Sequence, residues 1–319
     1  MTREKPQNIV ASVRQKLLNR ARQQKEDFQL MLTRYGLERL LFRLGESQHA
    51  DSFVLKGAFM FLIWTDLPYR PTRDLDLLSF GESSAARLIA IFKELCSIRQ
   101  DDGLIFMMDS VSAEEIRDEL EYGGVRVTLV SRLAEAEIPL QIDIGFGDTV
   151  TPRPKYEKFP TILNMPAPRL RTYSRESVIA EKYEAMVRLG IANSRMKDFY
   201  DVWILQKEFD FEGATICKAI QTTFKRRKTS LPESTPFALS SEFAQDTVKQ
   251  TQWKAFTSRA RLRIQAGDLE SVIGQIHSFM FPPTEALVQG ERFKLLWQAG
   301  GPWRKDKEAA SNQFIQPTS

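Results

Sequence analysis

Five prolines fall between residues 150 and 170, at Pro152, Pro154, Pro160, Pro166 and Pro168. This stretch constrains the fold more than any other feature. Proline fixes φ and removes an amide donor, so a repeated proline pattern interrupts regular structure. The segment is read as a loop-rich domain boundary. A chain of 319 residues accommodates two ordinary domains, since single cores rarely grow beyond ~250–300 residues. With 42% hydrophobic and 27% charged residues it can bury a sizeable core, which argues against disorder.

The two sides of the boundary have different periodicities. Upstream, Ile9, Val13, Leu17, Leu18, Phe28, Leu32 and Tyr35 recur at three-to-four spacing, which predicts one or two amphipathic helices over about residues 8–44. Short strands are expected at Ser52–Lys56, Asp74–Phe80, Gly124–Val130 and Ile138–Phe146, with helices at Ala58–Trp64 and Ala85–Ile98. Pro68 and Pro71 mark a loop between the first two strands. Downstream the signals are mostly helical. Ser174 reads as an N-cap without a capping box, because Ser177 stands where Glu or Gln would be needed. Its helix runs to Leu189 and stops at Gly190, and a second covers about Ser194–Lys207. The tail from Asp306 reads as frayed. The expected organisation is a helical segment at 1–50, a core at 51–168 and a helical domain at 169–319 with a basic surface. That is an α+β class: a mixed β-sheet with flanking helices, followed by a mainly helical domain.

Composition narrows the chemistry. Cys96 and Cys217 lie far apart and form no CxxC pair, which excludes a disulfide scaffold or a zinc ribbon. His49 and His277 are the only histidines, so any catalysis must rest mainly on carboxylates, lysines and arginines. No apolar run approaches the ~20 residues of a membrane span, and no apolar stretch follows the charged N-terminus, so no membrane partner is expected. A reduced, cytoplasmic setting is the default expectation. Residues 1–168 hold 22 basic and 24 acidic side chains; residues 169–319 hold 23 and 17. The excess concentrates in Gly213–Arg263, with the run Lys225-Arg226-Arg227-Lys228 and the alternating Arg259, Arg261 and Arg263. Two readings stand: a solvated helix face, or a surface for an anionic partner.

The informative chemistry lies in Asp74-Leu75-Asp76-Leu77-Leu78. On a strand, Asp74 and Asp76 project from one face while Leu75 and Leu77 bury into the other. Parallel carboxylates repel unless a cation sits between them, and oxygen-only ligands suit Mg²⁺. Asp143, in Gln141-Ile142-Asp143-Ile144, is the third candidate. Three carboxylates on neighbouring strands can serve phosphoryl or nucleotidyl transfer; the alternative is ordinary strand-end acids facing water. Gly57, between strand and helix, lets backbone approach a phosphate at a helix N-terminus. Lys56 beside it reads as a phosphate ligand or a snorkelling strand residue. Further on, Asp198 and Asp201 lie on one side of a helix and enter a partly buried seam. A Lys182–Asp201 salt bridge joining two helices is the structural reading of that cluster.

Taken together, Lys56-Gly57-Ala58, Arg70-x-Thr72-x-Asp74-x-Asp76, Gln141-Ile142-Asp143 and Glu181-Lys182…Arg188…Arg195-x-Lys197-Asp198-x-x-Asp201 resemble the AbiEii/AbiGii-type toxin nucleotidyltransferases of bacterial abortive-infection and type IV toxin–antitoxin systems. The resemblance covers about Phe53 to Leu205. It implies a nucleotidyltransferase fold that joins a nucleotide from an NTP to an acceptor hydroxyl and releases pyrophosphate. It implies Asp74 and Asp76 as ligands of Mg²⁺, or Mn²⁺ in its place, with Asp143 as a third acid. Lys56 and Lys182 would contact the triphosphate, with Gly57, Arg70 and Thr72 in the NTP site. Asp198 or Asp201 would complete the catalytic set. A tRNA acceptor and a separately encoded antitoxin are the implied partners. The family's first motif is commonly Lys-Gly-Gly; Ala58 departs from it, which shifts NTP binding toward backbone N–H groups, Thr72 and the lysines. Two other readings of the same residues are an enzyme of this fold acting on a small molecule or protein hydroxyl, and a non-catalytic nucleotide-binding module.

Overall fold

Two amphipathic helices begin the chain in the computed structural model, which describes residues 6–65, 72–116, 123–259 and 262–305. The tail from Asp306 therefore lies outside the described residues. The chain divides into two compact units, Met1–Asp148 with Pro154–Tyr173, and Thr149–Arg153 with Ser174–Ser319.

The first unit is a mixed sheet with helices. Helices α1 (Pro6–Gln24) and α2 (Phe28–Gly45) are separate because Asp27 caps the second: its side chain accepts from the Leu30 amide. Strand β1 (Phe53–Lys56) is followed by a 3₁₀ turn at Gly57–Phe59 and the six-residue helix α3 (Met60–Thr65). Then come β2 (Asp74–Ser79), α4 (Ala85–Ser97), β3 (Ile105–Ile116), β4 (Gly124–Leu133), β5 (Ala136–Phe146), β6 (Lys155–Lys158) and β7 (Arg169–Thr172). The seven strands are ordered β3-β4-β5-β2-β1-β7-β6. β2 runs parallel to β5 and β1 parallel to β7, while the other neighbours are antiparallel.

Alternation explains the central strands. Val125, Val127, Leu129, Ile138, Leu140, Ile142 and Ile144 are buried, leaving their neighbours to the other face. Helix α2 packs on β5 at Gly36, where an added Cβ would press on the Leu140 side chain. α2 also buries Arg39 and Arg43, which fork onto Asp102 at 3.1 and 2.6 Å, so their charges are compensated inside the unit.

Two differences from the sequence reading concern strands. β3 does not show as a strand by period because its register shifts between Met107 and Ser112, which breaks the alternation. The proline-dense segment is not loop throughout: it holds β6 and β7, joined antiparallel at the sheet edge. Pro154 and Pro160 flank β6, so they remove no ladder donor from it.

The second unit is mainly helical: α5 (Arg175–Leu189), α6 (Met196–Glu208), α7 (Gly213–Arg226), α8 (Ser241–Gln245), α9 (Thr247–Arg259) and α10 (Leu269–Gln289). Ser174 caps α5 as expected, accepting from the Ser177 amide, and Gly190 follows its last turn. A small sheet joins β8 (Phe211–Glu212), β9 (Leu296–Trp297) and β10 (Trp303–Arg304), packed around the rings of Phe279, Trp297 and Trp303. Among the described residues no helix is long and apolar enough to cross a membrane.

Candidate active site

Strand register assembles the acids. β2 beside β5 sets Asp74 level with Gln141 and Asp76 level with Asp143. β4 adds Arg126 opposite Asp143, and β1 adds Lys56 opposite Asp76. Leu75 and Leu77 are buried in β2 while Asp74 and Asp76 stay half-buried, the two-residue period read from the sequence. Lys56, Asp76, Asp143 and Arg126 thus form one row across four adjacent strands.

Among the described residues, Asp74, Asp76 and Asp143 bring carboxylate oxygens within 4.8 Å of one another, a set that could hold a metal ion. All three donors are hard oxygens, which fits a divalent cation such as Mg²⁺ and not a thiophilic metal. Neighbouring groups orient each acid. Thr72 Oγ1 donates to Asp74 Oδ1 at 2.8 Å. Arg126 holds Asp143 by a fork, Nε to Oδ1 at 2.8 Å and Nη2 to Oδ2 at 2.9 Å, and this hydrogen bond raises the guanidinium further above its ordinary value. Gln141 Nε2 reaches the same carboxylate at 3.3 Å. A cation bound by all three acids would share Asp143 with Arg126.

Gly57 is held by close approach. Its φ is +72°, and a Cβ there would overlap the Asp76 carboxylate. The helix expected behind it is only the 3₁₀ turn and the short α3, so its dipole is small; bare backbone beside Asp76 is what Gly57 provides. Lys56 Nζ lies 3.2 Å from Asp148 Oδ2 and 5.5 Å from the centre of the Tyr173 ring. Arg70 lies outside the described residues. A cleft of about 590 Å³ opens beside Asp74, walled by Arg73, Thr128 and Gln141 on one side and by Asp27, Gln29 and Thr33 on the other.

The remaining sequence candidates gather in the helical unit. Lys182 Nζ on α5 contacts Asp198 Oδ1 at 2.5 Å and Asp201 Oδ2 at 3.0 Å, both on α6. Arg195 Nε takes the other Asp198 oxygen at 2.6 Å. Asp198 and Asp201 are 0% and 1% exposed, so these are buried ion pairs and the expected Lys182–Asp201 bridge is present. Burial alone would raise the Asp198 carboxyl, but Lys182 and Arg195 overcome it and hold the group below its ordinary value. Glu184, buried one position from the Glu181-Lys182-Tyr183 run, is paired with Arg188, Arg227 and Thr229. Arg227 therefore turns inward from the basic run, while Lys225, Arg226 and Lys228 stay exposed.

Two residues of the strand site were not singled out in the sequence. Arg126 carried a legible signal: it is the cation facing away from Val125 and Val127 on an apolar strand. Asp148 carried none, because only the turn after β5 brings it to Lys56.

Against known proteins, the chain matches the model of the nucleotidyl transferase AbiEii toxin family, type IV toxin–antitoxin system, over residues 39–270. None of the curated proteins compared with it matches. Among solved structures it is similar to a candidate nucleotidyltransferase from H. pylori, with 16% identity, a TM-score of 0.47, and coverage of 83% of this chain and 99% of that one. JHP933 from Helicobacter pylori is similar at 15% identity and a TM-score of 0.46, covering 83% and 95%. The family model spans most of the chain and includes both acidic clusters, so the chain belongs to the AbiEii nucleotidyl transferase toxin family of type IV toxin–antitoxin systems.

Proposed function

We propose that this chain is a Mg²⁺-dependent nucleotidyltransferase toxin that transfers a nucleotide from an NTP to an acceptor hydroxyl on tRNA and releases pyrophosphate. The observation that carries the reading is the convergence of Asp74, Asp76 and Asp143 beside Lys56 and Gly57. Asp74 and Asp76, with Asp143 shared with Arg126, would hold the cation. When bound there, it supplies charge neutralisation on the phosphates and polarises the bond to the departing pyrophosphate. Gly57 lets the backbone come close to the phosphates, and the Lys56 ammonium adds positive charge on the same side. Thr72 keeps Asp74 aimed into the site. Lys182, Asp198 and Asp201 belong to the proposal as motif residues, with Lys182 as a triphosphate contact. A separately encoded antitoxin is the partner that the family supports.

The test is label transfer. Wild type incubated with each labelled NTP, Mg²⁺ and total RNA is expected to label RNA, and Asp76→Ala is expected to lose at least ~10²-fold of that rate. Equal signals from both proteins, or label on protein or small molecules and not on RNA, would overturn the reading.

A further inference from the structure

Helix α1 carries Arg14, Lys16, Arg20 and Arg22, followed by Lys25; all are exposed, and no acid occurs from residue 6 to residue 25. Its inward face is occupied by Val13, Leu17 and Ala21. Arg14 and Arg22 are eight residues apart and so lie about 80° from one another around the axis. Of the two acids that follow α1 in the chain, Glu26 accepts 2.8 and 2.9 Å bonds from Arg34 and Asp27 caps α2. Arg14 stands beside the wall of the cleft. The Arg14 guanidinium lies 5.9 Å from the centre of the Phe28 ring, and the flanking Asp27 and Gln29 are cleft wall.

The cleft also has a fixed place relative to the acids. Asp74 lines it; Lys56 and Gly57 do not, and Lys56 is level with Asp76 further along the sheet. In-line transfer requires the attacking hydroxyl and the leaving pyrophosphate on opposite sides of the transferred phosphorus. With the triphosphate on the Lys56 side, the acceptor must arrive from the Asp74 side, where about 590 Å³ of space suffices for a nucleoside. We propose that α1 and the α2 wall of this cleft receive a single-stranded polynucleotide end, its phosphates on Arg14, Arg22 and Lys25 and its terminal hydroxyl at Asp74. This rests on the nucleotidyl-transfer reading and places the acceptor surface on α1 and not on Lys225–Lys228, whose Arg227 is committed to Glu181 and Glu184.

The experiment compares the full chain with two triple variants, Arg14→Gln/Arg22→Gln/Lys25→Gln and Lys225→Gln/Arg226→Gln/Lys228→Gln. Each is titrated against a fluorescent single-stranded RNA at several salt concentrations, with Mn²⁺ binding as the control for an intact site. The α1 triple is expected to bind about tenfold or more weakly and to lower the slope of log K against log salt by about 2, while Mn²⁺ affinity holds. The other triple is expected to stay within about twofold of wild type. Wild-type RNA affinity in the α1 triple, a loss confined to the Lys225 triple, or no RNA binding by wild type would each overturn the α1 surface. If wild type labels RNA while the α1 triple binds normally, the surface falls and the transferase reading stands. If wild type labels no RNA, the transferase reading falls, and with it the placement of the acceptor.

Discussion

Gly57 sits where backbone and carboxylate nearly touch, and its positive φ leaves two penalties for any side chain. Gly57→Ala is expected to cost about 1–2 kcal/mol from the left-handed backbone, and more if Asp76 cannot move. Because Asp76 must shift, Mn²⁺ affinity should fall as well; an unchanged Mn²⁺ titration would separate Asp76 from the metal site. Glu38 is a second residue-scale case. It is fully buried; Oε2 accepts from the Ile162 amide at 2.7 Å, and Arg39 stands 3.7 Å from Oε1. Burial outweighs both and pushes its carboxyl up to about 7. A raised acid means the folded state binds the extra proton between the ordinary value of about 4.5 and 7. Glu38 therefore contributes stability below that window and loses it as pH rises, by about 3 kcal/mol at most. Urea unfolding from pH 4.5 to 7.5 should show this downward slope in wild type and its absence in Glu38→Gln.

At the scale of elements, α5 and α6 are joined through charge. Lys182 links the two helices by contacting both Asp198 and Asp201. Lys182→Met would strand buried carboxylates, an effect of about 3–5 kcal/mol for a broken buried pair. The sign of the pH dependence checks the cause. A depressed Asp198 stabilises above its unfolded value and loses that contribution as pH falls through its folded value. The gap between wild type and Lys182→Met should therefore narrow in acid; a gap constant with pH would point to lost packing instead. Loss of activity in this variant must be read beside its unfolding curve, since the same lysine is proposed for the triphosphate.

For the whole molecule, ligand linkage is the accessible quantity. A cation that binds only the folded site stabilises by about 2.7 kcal/mol at a hundredfold excess over Kd. Thermal unfolding of wild type should shift upward with Mg²⁺ or Mn²⁺, while Asp76→Asn, which keeps the shape and removes a charge, should shift little. Equal shifts would place the binding elsewhere on the chain. The charge distribution also changes meaning at this scale. The acidic first half contains the strand carboxylates, yet every charged residue of its first helix is basic and exposed. Summed over 1–168 the two features cancel, so the half-chain total does not show the positive charge of α1.

The sequence alone determined the local geometry. A two-residue period puts Asp74 and Asp76 on one face of β2 whatever the strand pairs with, and Ser174 and Gly190 delimit α5 through local hydrogen bonding. The three motif acids, Lys182 and Asp198 could be named before any tertiary contact was known. Strand order was decided only in three dimensions. Parallel pairing of β2 with β5 makes neighbours of Asp76 and Asp143, and the chain after β5 brings Asp148 to Lys56. Arg126 became part of the site through β4 register, and Arg227 left the surface for Glu184 through helix packing. Periodicity fixes which face a side chain takes. The partner on that face depends on contacts distant in sequence, and those are set by burial of the whole sheet or helical core.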